Sequence, residues 1–316
     1  MMSRIVTVGE PMALFAAEYE GLLEEAEKFS RFVAGAEVNF SIGMARLGHQ
    51  VTYITKLGND PFGKNIQTFL EKNNIDTSFV SYDDKHVTGM QWKQKVVKGD
   101  PEVFSLRKNS AASNMDIQSI SSLQFEDFDH LHLTGIPPAL SPSCRELVYE
   151  LAQNAKRSGV PISFDPNIRP ALWPDKQEMV KVINNVAVLA DIVFPGMEEG
   201  RILTGRETPE GIAQFYHDAG VKTVVIKLGP QGAFTSSLDK SFYTKGFKVS
   251  KVIDTVGAGD GFAVGVTSAL LENLPLEEAI IRGTAIGALA VMSPGDNDGL
   301  PDRENLNAFM ELKLNR

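Results

Sequence analysis

The sequence has few of the features that mark secreted, membrane-spanning or nucleic-acid-binding proteins. Its 316 residues include one cysteine, Cys144, so no disulfide can form within the chain. No apolar run reaches the length of a membrane span, and the opening residues predict a strand rather than a signal peptide. The net charge of −9 does not supply the basic face that binding to nucleic acid requires. We therefore expect a cytoplasmic protein with no membrane or nucleic-acid partner.

The composition that remains is typical of a globular protein with a large core. Hydrophobic residues make up 43% of the chain and charged residues 22%, which excludes a disordered or fibrous class. The length suits one large α/β core with a small insertion. Short apolar segments that predict strands alternate with segments of helical periodicity along most of the chain. This alternation predicts an α/β fold, with a parallel central sheet and helices on both of its faces.

Two segments interrupt the alternation. Residues 27–33 and 88–106 have the period-two pattern of strands, and no helix is expected between the second segment and its neighbours. They predict a small β-sheet, inserted from about 10–34 and 87–108 into a single domain that spans residues 1–316. Such a sheet would act as a lid over a cleft at the carboxyl ends of the central strands, where open α/β folds bind ligands.

The chemically most specific stretch is residues 254–264, DTVGAGDGFAV, at the start of an apolar helix. Backbone N–H groups at a helix N-terminus carry partial positive charge, and glycines let an anion approach closely. Gly257, Ala258 and Gly259 are therefore candidates to bind phosphoryl oxygens. Asp260 is the candidate to accept the proton of a hydroxyl that attacks a phosphoryl group. The alternative is that Asp260 is a first-turn acid with a structural role.

Two motifs resemble the signatures of the ribokinase-like (PfkB-type) sugar kinases. Residues 254–267 resemble the C-terminal signature, in which the last Asp of GAGD, here Asp260, is the catalytic base. Residues 34–41, AGAEVNFS, resemble the N-terminal signature, and this likeness implies that Gly35 and Asn39 bind the sugar. Glu37 stands where a small residue is usual. The resemblance covers nearly the whole chain and implies a ribokinase-like fold, whose lid often also forms the contact between subunits of a homo-oligomer.

The same resemblance implies where ATP would bind. The segment KLGPQG, which follows a predicted buried strand, is similar to the family segment that lies against the nucleotide. Lys227, Gly229 and Gly232 are the residues it assigns, together with Gly257 and Gly259 of the GAGD motif. The alternative for Lys227 is a lysine exposed to solvent at a simple β-turn.

The same resemblance implies residues that bind metal ions. Glu199 matches the Glu of the family's NxxE motif, which organises Mg²⁺ through water, although Gly196 stands at the Asn position. The alternative is a solvated acid at the start of a helix. Asp254 matches the residue beside which the family commonly binds a monovalent cation, so K⁺ is a further candidate cofactor.

Three segments are similar to the family members that phosphorylate 2-keto-3-deoxygluconate. They are GEPM at 9–12, LRKNSAAS at 106–113 and FDPNIRPALW at 164–173. This likeness implies that Arg107 and Arg169 hold the sugar-acid carboxylate, which suits the planar guanidinium fork. Ser105 stands where a Tyr often precedes the first of these arginines. The alternatives are an exposed edge-strand charge for Arg107 and a loop residue paired with Asp165 for Arg169.

The predicted function is transfer of the γ-phosphoryl group of ATP, with Mg²⁺, to the primary hydroxyl of 2-keto-3-deoxygluconate. Fructose is the alternative substrate, because the DPNxRPxLW string is shared with fructokinases. A sensor of a sugar acid or nucleotide is the alternative outside the enzymes, since fold alone does not establish catalysis. The intact Asp260 favours an enzyme, because a pure binding protein would gain from losing a charge that repels ATP.

Overall fold

A computed structural model describes residues 2–96, 101–293, 295 and 297–314. Within these residues, ten strands form the larger sheet, in the order β14-β13-β12-β11-β10-β9-β1-β4-β5, with β6 paired to β4. Strands β4, β1, β9, β10, β11 and β12 run parallel, and β13 and β14 add an antiparallel hairpin at one edge. The strands are β1 Arg4–Val8, β4 Gln50–Gly58, β5 Ile75–Asp76, β6 Val80–Asp83, β9 His130–Thr134, β10 Ile162–Asp165, β11 Ile192–Val193, β12 Thr223–Lys227, β13 Gly232–Ser237 and β14 Ser241–Lys245.

Helices cover both faces of this sheet. Alternate side chains of a strand point to opposite faces, so Ile5 of β1 packs in one apolar cluster while Val6 and Val8 pack in the other. The cluster of Ile5 includes side chains of α1, α8 and α9, and the cluster of Val6 includes those of α4 and α5. The helices are α1 Ala36–Arg46, α2 Pro61–Lys72, α3 Pro137–Leu140, α4 Pro142–Arg157, α5 Lys176–Ala187, α6 Met197–Thr204, α7 Pro209–Asp218, α8 Ala258–Leu271, α9 Leu276–Ala290 and α10 Arg303–Leu314.

A second, four-stranded sheet, called here the small sheet, is separate from the first. Its order is β3-β2-β7-β8, with β2 Met12–Glu20, β3 Phe29–Ala34, β7 Met90–Lys95 and β8 Val103–Leu106. Strands β2 and β7 run parallel, whereas β3 and β8 pair antiparallel to them. The predicted α/β class, with a parallel central sheet, helices on both faces and a small second sheet, is confirmed.

Several elements were not predicted from the sequence. Among them are the hairpin β13–β14, the strand β2 as an element distinct from β3, the short strands β5 and β6, and the helices α3, α6 and α10. The hairpin places an antiparallel pair at the edge of a sheet that is otherwise mostly parallel. No helix in the part of the chain that the structure describes has the length and apolar character needed to cross a membrane.

The topology directs several polar side chains to one edge of the central sheet. Parallel strands share the direction of their carboxyl ends, which therefore meet at the same edge. Glu10 follows β1, Asp165 ends β10 and Lys227 ends β12. The small sheet continues directly from this edge, because β2 begins two residues after Glu10.

Candidate active site

A cavity of about 290 Å³ at this edge brings together most of the residues that the sequence singles out. Four of the predicted residues are not in the cavity lining. Asp254 and Ala258 are next in sequence to residues that line the cavity, and Gly229 and Gly232 belong to the turn after β12, residues 228–232. The wall also includes Glu10, Gln91, Asp165 and Asn167, which were not selected from the sequence. The predicted residues that line the cavity are Gly35, Asn39, Arg107, Arg169, Glu199, Lys227, Gly257, Gly259 and Asp260.

The N-terminus of α8 forms an anion loop, defined here as residues 254–259. Gly257 is the N-cap residue, and its φ of 79° lies in the left-handed region that glycine adopts without strain. The first turn of the helix contains Ala258, Gly259 and Asp260. A Cβ atom added at Gly259 would lie 3.4 Å from Lys227 Nζ, so the lysine ammonium approaches the loop. The partial positive charge of the helix N-terminus and the ammonium group of Lys227 thus lie close together where phosphate would bind.

Asp260 is held by two side-chain amides. Asn39 Nδ2 donates to Asp260 Oδ2 at 2.8 Å, and Asn167 Nδ2 donates to Oδ1 at 3.3 Å. Burial raises the pKa of the Asp260 carboxyl to about 6, against the opposing hydrogen bond from Asn39. Asn39 itself is oriented by Asn297, whose Nδ2 lies 3.4 Å from Asn39 Oδ1. This environment fixes the carboxylate and brings its pKa close to the range in which a general base works well.

Lys227 forms a buried ion pair. Its Nζ lies 2.6 Å from Asp165 Oδ2. Burial opposes the charge of Lys227, but the carboxylates of Asp165 and Glu199 hold the pKa of its ammonium above the ordinary value. The alternative of a lysine exposed to solvent is therefore wrong. The pairing of Arg169 with Asp165 is wrong too, because Arg169 Nη1 donates to the carbonyl oxygens of Asn167 and Ile168 at 3.4 and 3.1 Å.

Arg107 is buried and paired, so the alternative of an exposed edge-strand charge is wrong. Its Nε and Nη2 atoms lie 2.7 and 2.5 Å from Glu10 Oε2. Ser110 Oγ donates to the other oxygen of Glu10. Arg107 follows the last strand of the small sheet and Glu10 follows the first strand of the central sheet. The ion pair therefore connects the two sheets at the cavity wall.

Glu37, in the first turn of α1, is completely buried. Thr134 Oγ1 donates to its Oε1 atom. A Cβ atom added at Gly9 would be 2.5 Å from both Glu37 Oε2 and the Tyr53 hydroxyl, so only glycine fits beside them. Burial is the largest influence on the Glu37 carboxyl and raises its pKa to about 7; the nearby Asp260 adds to the effect.

Replacing Glu37 by glutamine is expected to change how stability depends on pH. The rise in pKa from 4.5 to about 7 makes the ionised form about 3 kcal/mol less stable in the folded chain than in the unfolded chain. The folded state binds the extra proton, so this contribution to stability is lost as the pH rises from about 4.5 to about 7. Urea unfolding should therefore show Glu37→Gln to be the more stable protein at pH 8 and to differ less at pH 5. An equal difference in the free energy of unfolding at pH 5 and pH 8 would contradict the raised pKa of Glu37.

Glu199 lines the cavity, and each of its carboxylate oxygens accepts a backbone N–H group. Its Oε1 accepts the backbone N–H of Ile168 at 2.9 Å and its Oε2 accepts that of Gly196 at 2.7 Å. Each oxygen keeps a lone pair for a metal-bound water on the cavity side. The described residues contain no group of three His, Cys, Asp or Glu side chains that could hold a metal. This arrangement fits Mg²⁺, which usually keeps several waters and binds substrate phosphates.

The carboxylate that the sequence assigns to a monovalent cation is paired with a lysine. Lys93 of the small sheet places its Nζ 2.5 Å from Asp254 Oδ2.

The turn after β12 has mainly a structural role at Gly232. Its φ is 103°, and an added Cβ would lie 2.0 Å from the carbonyl oxygen of Thr244 in the hairpin.

Comparison with known proteins identifies the family to which this chain belongs. A model described as "pfkB family carbohydrate kinase" matches residues 2–303, and the chain belongs to this family. It is 48% identical over 309 residues to the 2-dehydro-3-deoxygluconokinase of Bacillus subtilis, covering 98% of this chain and 95% of that protein.

Solved structures give the same result for the fold. A PfkB protein from Polaromonas sp. JS666 is 44% identical, with a TM-score of 0.89 and coverage of 97% of this chain and 99% of that chain. A putative ribokinase II from E. coli, solved in complex with ATP and Mg²⁺, is 27% identical, with a TM-score of 0.91 and coverage of 98% and 100%. The likeness extends over almost the whole of each chain, so the predicted enzyme class, a carbohydrate kinase, is confirmed.

Proposed function

We propose that this kinase transfers the γ-phosphoryl group of ATP to the primary hydroxyl of 2-keto-3-deoxygluconate, the sugar acid also called 2-dehydro-3-deoxygluconate. The observation that carries the proposal is a single cavity wall that combines Asp260, the N-terminus of α8 and the guanidinium groups of Arg107 and Arg169. The first two suit phosphoryl transfer and the arginines suit a carboxylate. The activity in the name of the Bacillus subtilis relative supports the same substrate.

In this mechanism Asp260 accepts the proton of the attacking hydroxyl. Asn39 and Asn167 hold its two oxygens, so the carboxylate is oriented before the sugar arrives. The backbone N–H groups of Gly257, Ala258 and Gly259 stabilise negative charge on the transferred phosphoryl oxygens. Bound Mg²⁺ would neutralise charge on the nucleotide phosphates, with Glu199 receiving one of its waters.

The nucleotide would lie between the anion loop and the turn after β12. The ammonium group of Lys227, paired with Asp165, lies between these two elements and close to Gly259. Gly229, with a φ of 57°, and Gly232, with a φ of 103°, give the turn its shape, and the lack of a side chain at these two positions leaves room for ATP. Together with Gly257 and Gly259 they complete the proposed ATP site.

The two arginines are not equivalent in binding the sugar acid. The charge of Arg107 is balanced by Glu10, so a substrate carboxylate that approaches Arg107 also meets a negative neighbour. Arg169 is exposed and its Nη1 donates to neutral carbonyl groups. We therefore assign most of the net attraction to Arg169, and the orientation of the carboxylate to Arg107. Gly35 would contact the sugar from the turn that precedes α1.

The direct test measures ADP formation with 2-keto-3-deoxygluconate, fructose and ribose in parallel, each with ATP and Mg²⁺. Selective turnover of the sugar acid is the expected result. Preference for fructose would keep the chemistry of Asp260 and reject carboxylate recognition. Binding of sugar acid and ATP without any ADP formation would indicate a sensor and reject the enzyme.

Turnover is expected to depend on pH through the base. Asp260 must be ionised to accept a proton, and its pKa is raised to about 6, so kcat/KM should fall as the pH decreases through about 6. Below that point the fall should approach tenfold per pH unit. The profile of Glu37→Gln is the control, because the Glu37 carboxyl titrates in a similar range. If the fall in kcat/KM at low pH disappears in Glu37→Gln, protonation of Asp260 does not cause that fall.

We also propose that the small sheet forms the contact of a homo-oligomer. It exposes the apolar side chains of Phe32, Val103, Phe104 and Leu106, and all four residues of the edge strand β8 are exposed. An exposed apolar edge of this kind favours association with another chain. Sedimentation at several concentrations tests the proposal, and a monomer at all of them would reject it.

A further inference from the structure

The anion loop begins with a charge that a phosphoryl site does not favour. Asp254 Oδ1 accepts a hydrogen bond from the backbone N–H of Val256 at 3.1 Å, which folds the start of the loop. The backbone N–H of Ile253 donates to the carbonyl oxygen of Val291 at 2.8 Å and anchors the loop to the end of α9. A carboxylate at this place repels phosphate unless a cation stays beside it.

Lys93 supplies a cation from the small sheet. Its Nζ lies 2.5 Å from Asp254 Oδ2, and the two side chains are only 11% and 16% exposed. Lys93 and Gln91 are two residues apart on β7, so their side chains point to the same face of the small sheet. Gln91 lines the cavity, and the Lys93–Asp254 pair therefore lies on the cavity side of this sheet.

This pair does not fit a potassium ion at Asp254. K⁺ needs several oxygen ligands at once, whereas the Asp254 carboxylate already binds an ammonium group and a backbone N–H. An ammonium group carries the same charge as K⁺ in a compact form. Building on the kinase function proposed above, we infer that the ammonium group of Lys93 takes the place of a monovalent cation beside the anion loop. Lys93 is then a positioning residue, which acts on the transferred phosphate through the loop.

The test compares KCl with tetramethylammonium chloride at equal ionic strength. In the wild-type chain, kcat with the sugar acid and the Kd of ADP with Mg²⁺, measured by calorimetry, are expected to agree within about twofold between the two salts, since screening is equal. In tetramethylammonium chloride, Lys93→Met is expected to have a kcat roughly tenfold lower and a Kd of ADP roughly tenfold higher than the wild-type chain, the effect of one charge-assisted hydrogen bond. Added K⁺ should restore part of the loss.

Lys95→Met is the matched control. Lys95 lies on the same strand, and its Nζ donates to the carbonyl oxygen of Glu18 at 2.9 Å, away from the anion loop. The variant removes the same charge from the small sheet and should keep wild-type values in both salts. Equal losses in the two variants would show that the general charge of the sheet, rather than the pair with Asp254, is responsible and would overturn the inference.

Two further results would overturn it. One is activation of the wild-type chain by K⁺ of more than about fivefold, an effect the size of a lost hydrogen bond. The other is a Lys93→Met variant that raises only the KM of the sugar acid and does not respond to K⁺, since Lys93 would then be a substrate ligand. ADP binding requires no sugar, so a failure to phosphorylate any sugar would count against the proposed function alone. If Lys93→Met does not fold, the comparison of salts with the wild-type chain decides.

Discussion

Asp260→Asn is expected to lower kcat by about 10²–10⁴, the usual contribution of a general base, while the fold remains intact. The amide has nearly the shape of the carboxylate, so the change removes the proton acceptor without opening space in the first turn of α8. Burial penalises the ionised form of Asp260, whose pKa is about 6, so loss of this charge is not expected to lower the free energy of unfolding at pH 7. Steady-state kinetics and urea unfolding measure the two effects separately.

Glu278→Gln is the matched control for this variant. Glu278 is an exposed carboxylate in the first turn of α9, as Asp260 is a carboxylate in the first turn of α8. Both changes remove one charge from a helix N-terminus, where it interacts favourably with the helix dipole. The control should retain wild-type turnover. Near-normal turnover in Asp260→Asn would exclude Asp260 as the base.

The parts of the site that depend on local sequence could be predicted. The anion loop depends on Gly257, whose left-handed φ and place before an apolar helix follow from neighbouring residues alone. The alternation of strands and helices likewise depends on periodicity within short segments, and it gave the class of fold. The hairpin β13–β14 escaped prediction because β13, GAFTSS, begins with glycine and is buried over four consecutive residues, so it lacks a period-two pattern, and no residue of β14 is buried.

The partners of the charged residues could not be predicted, because they come from distant parts of the chain. Asn39 and Asp260 are 221 positions apart, Lys93 and Asp254 are 161 apart, and Glu10 and Arg107 are 97 apart. Each pair meets only once the strands are ordered and the small sheet is in place. A single sequence indicates which side chains can carry charge in the site, but which charge is neutralised depends on topology.

Arg107→Ala is expected to have two effects that a second variant can separate. It should raise the KM of the sugar acid by roughly 10–100-fold, the effect of losing one charge-assisted hydrogen bond to a carboxylate. It should also destabilise the fold by about 3–5 kcal/mol, because Glu10 would remain buried without its partner. Glu10 is only 1% exposed. Steady-state kinetics with the sugar acid and with fructose, combined with urea unfolding, measure both effects.

The double variant Glu10→Gln, Arg107→Met removes the buried charge together with its partner. We expect it to recover much of the lost stability, because no unpaired carboxylate remains, and to retain the high KM, because the guanidinium group is absent. Arg169→Ala provides a comparison at an exposed site, where the KM should rise with little change in stability. A double variant with a normal KM would make Arg107 a structural partner of Glu10 alone. The sugar-acid carboxylate would then be recognised by Arg169, and the small sheet would contribute position rather than charge to substrate binding.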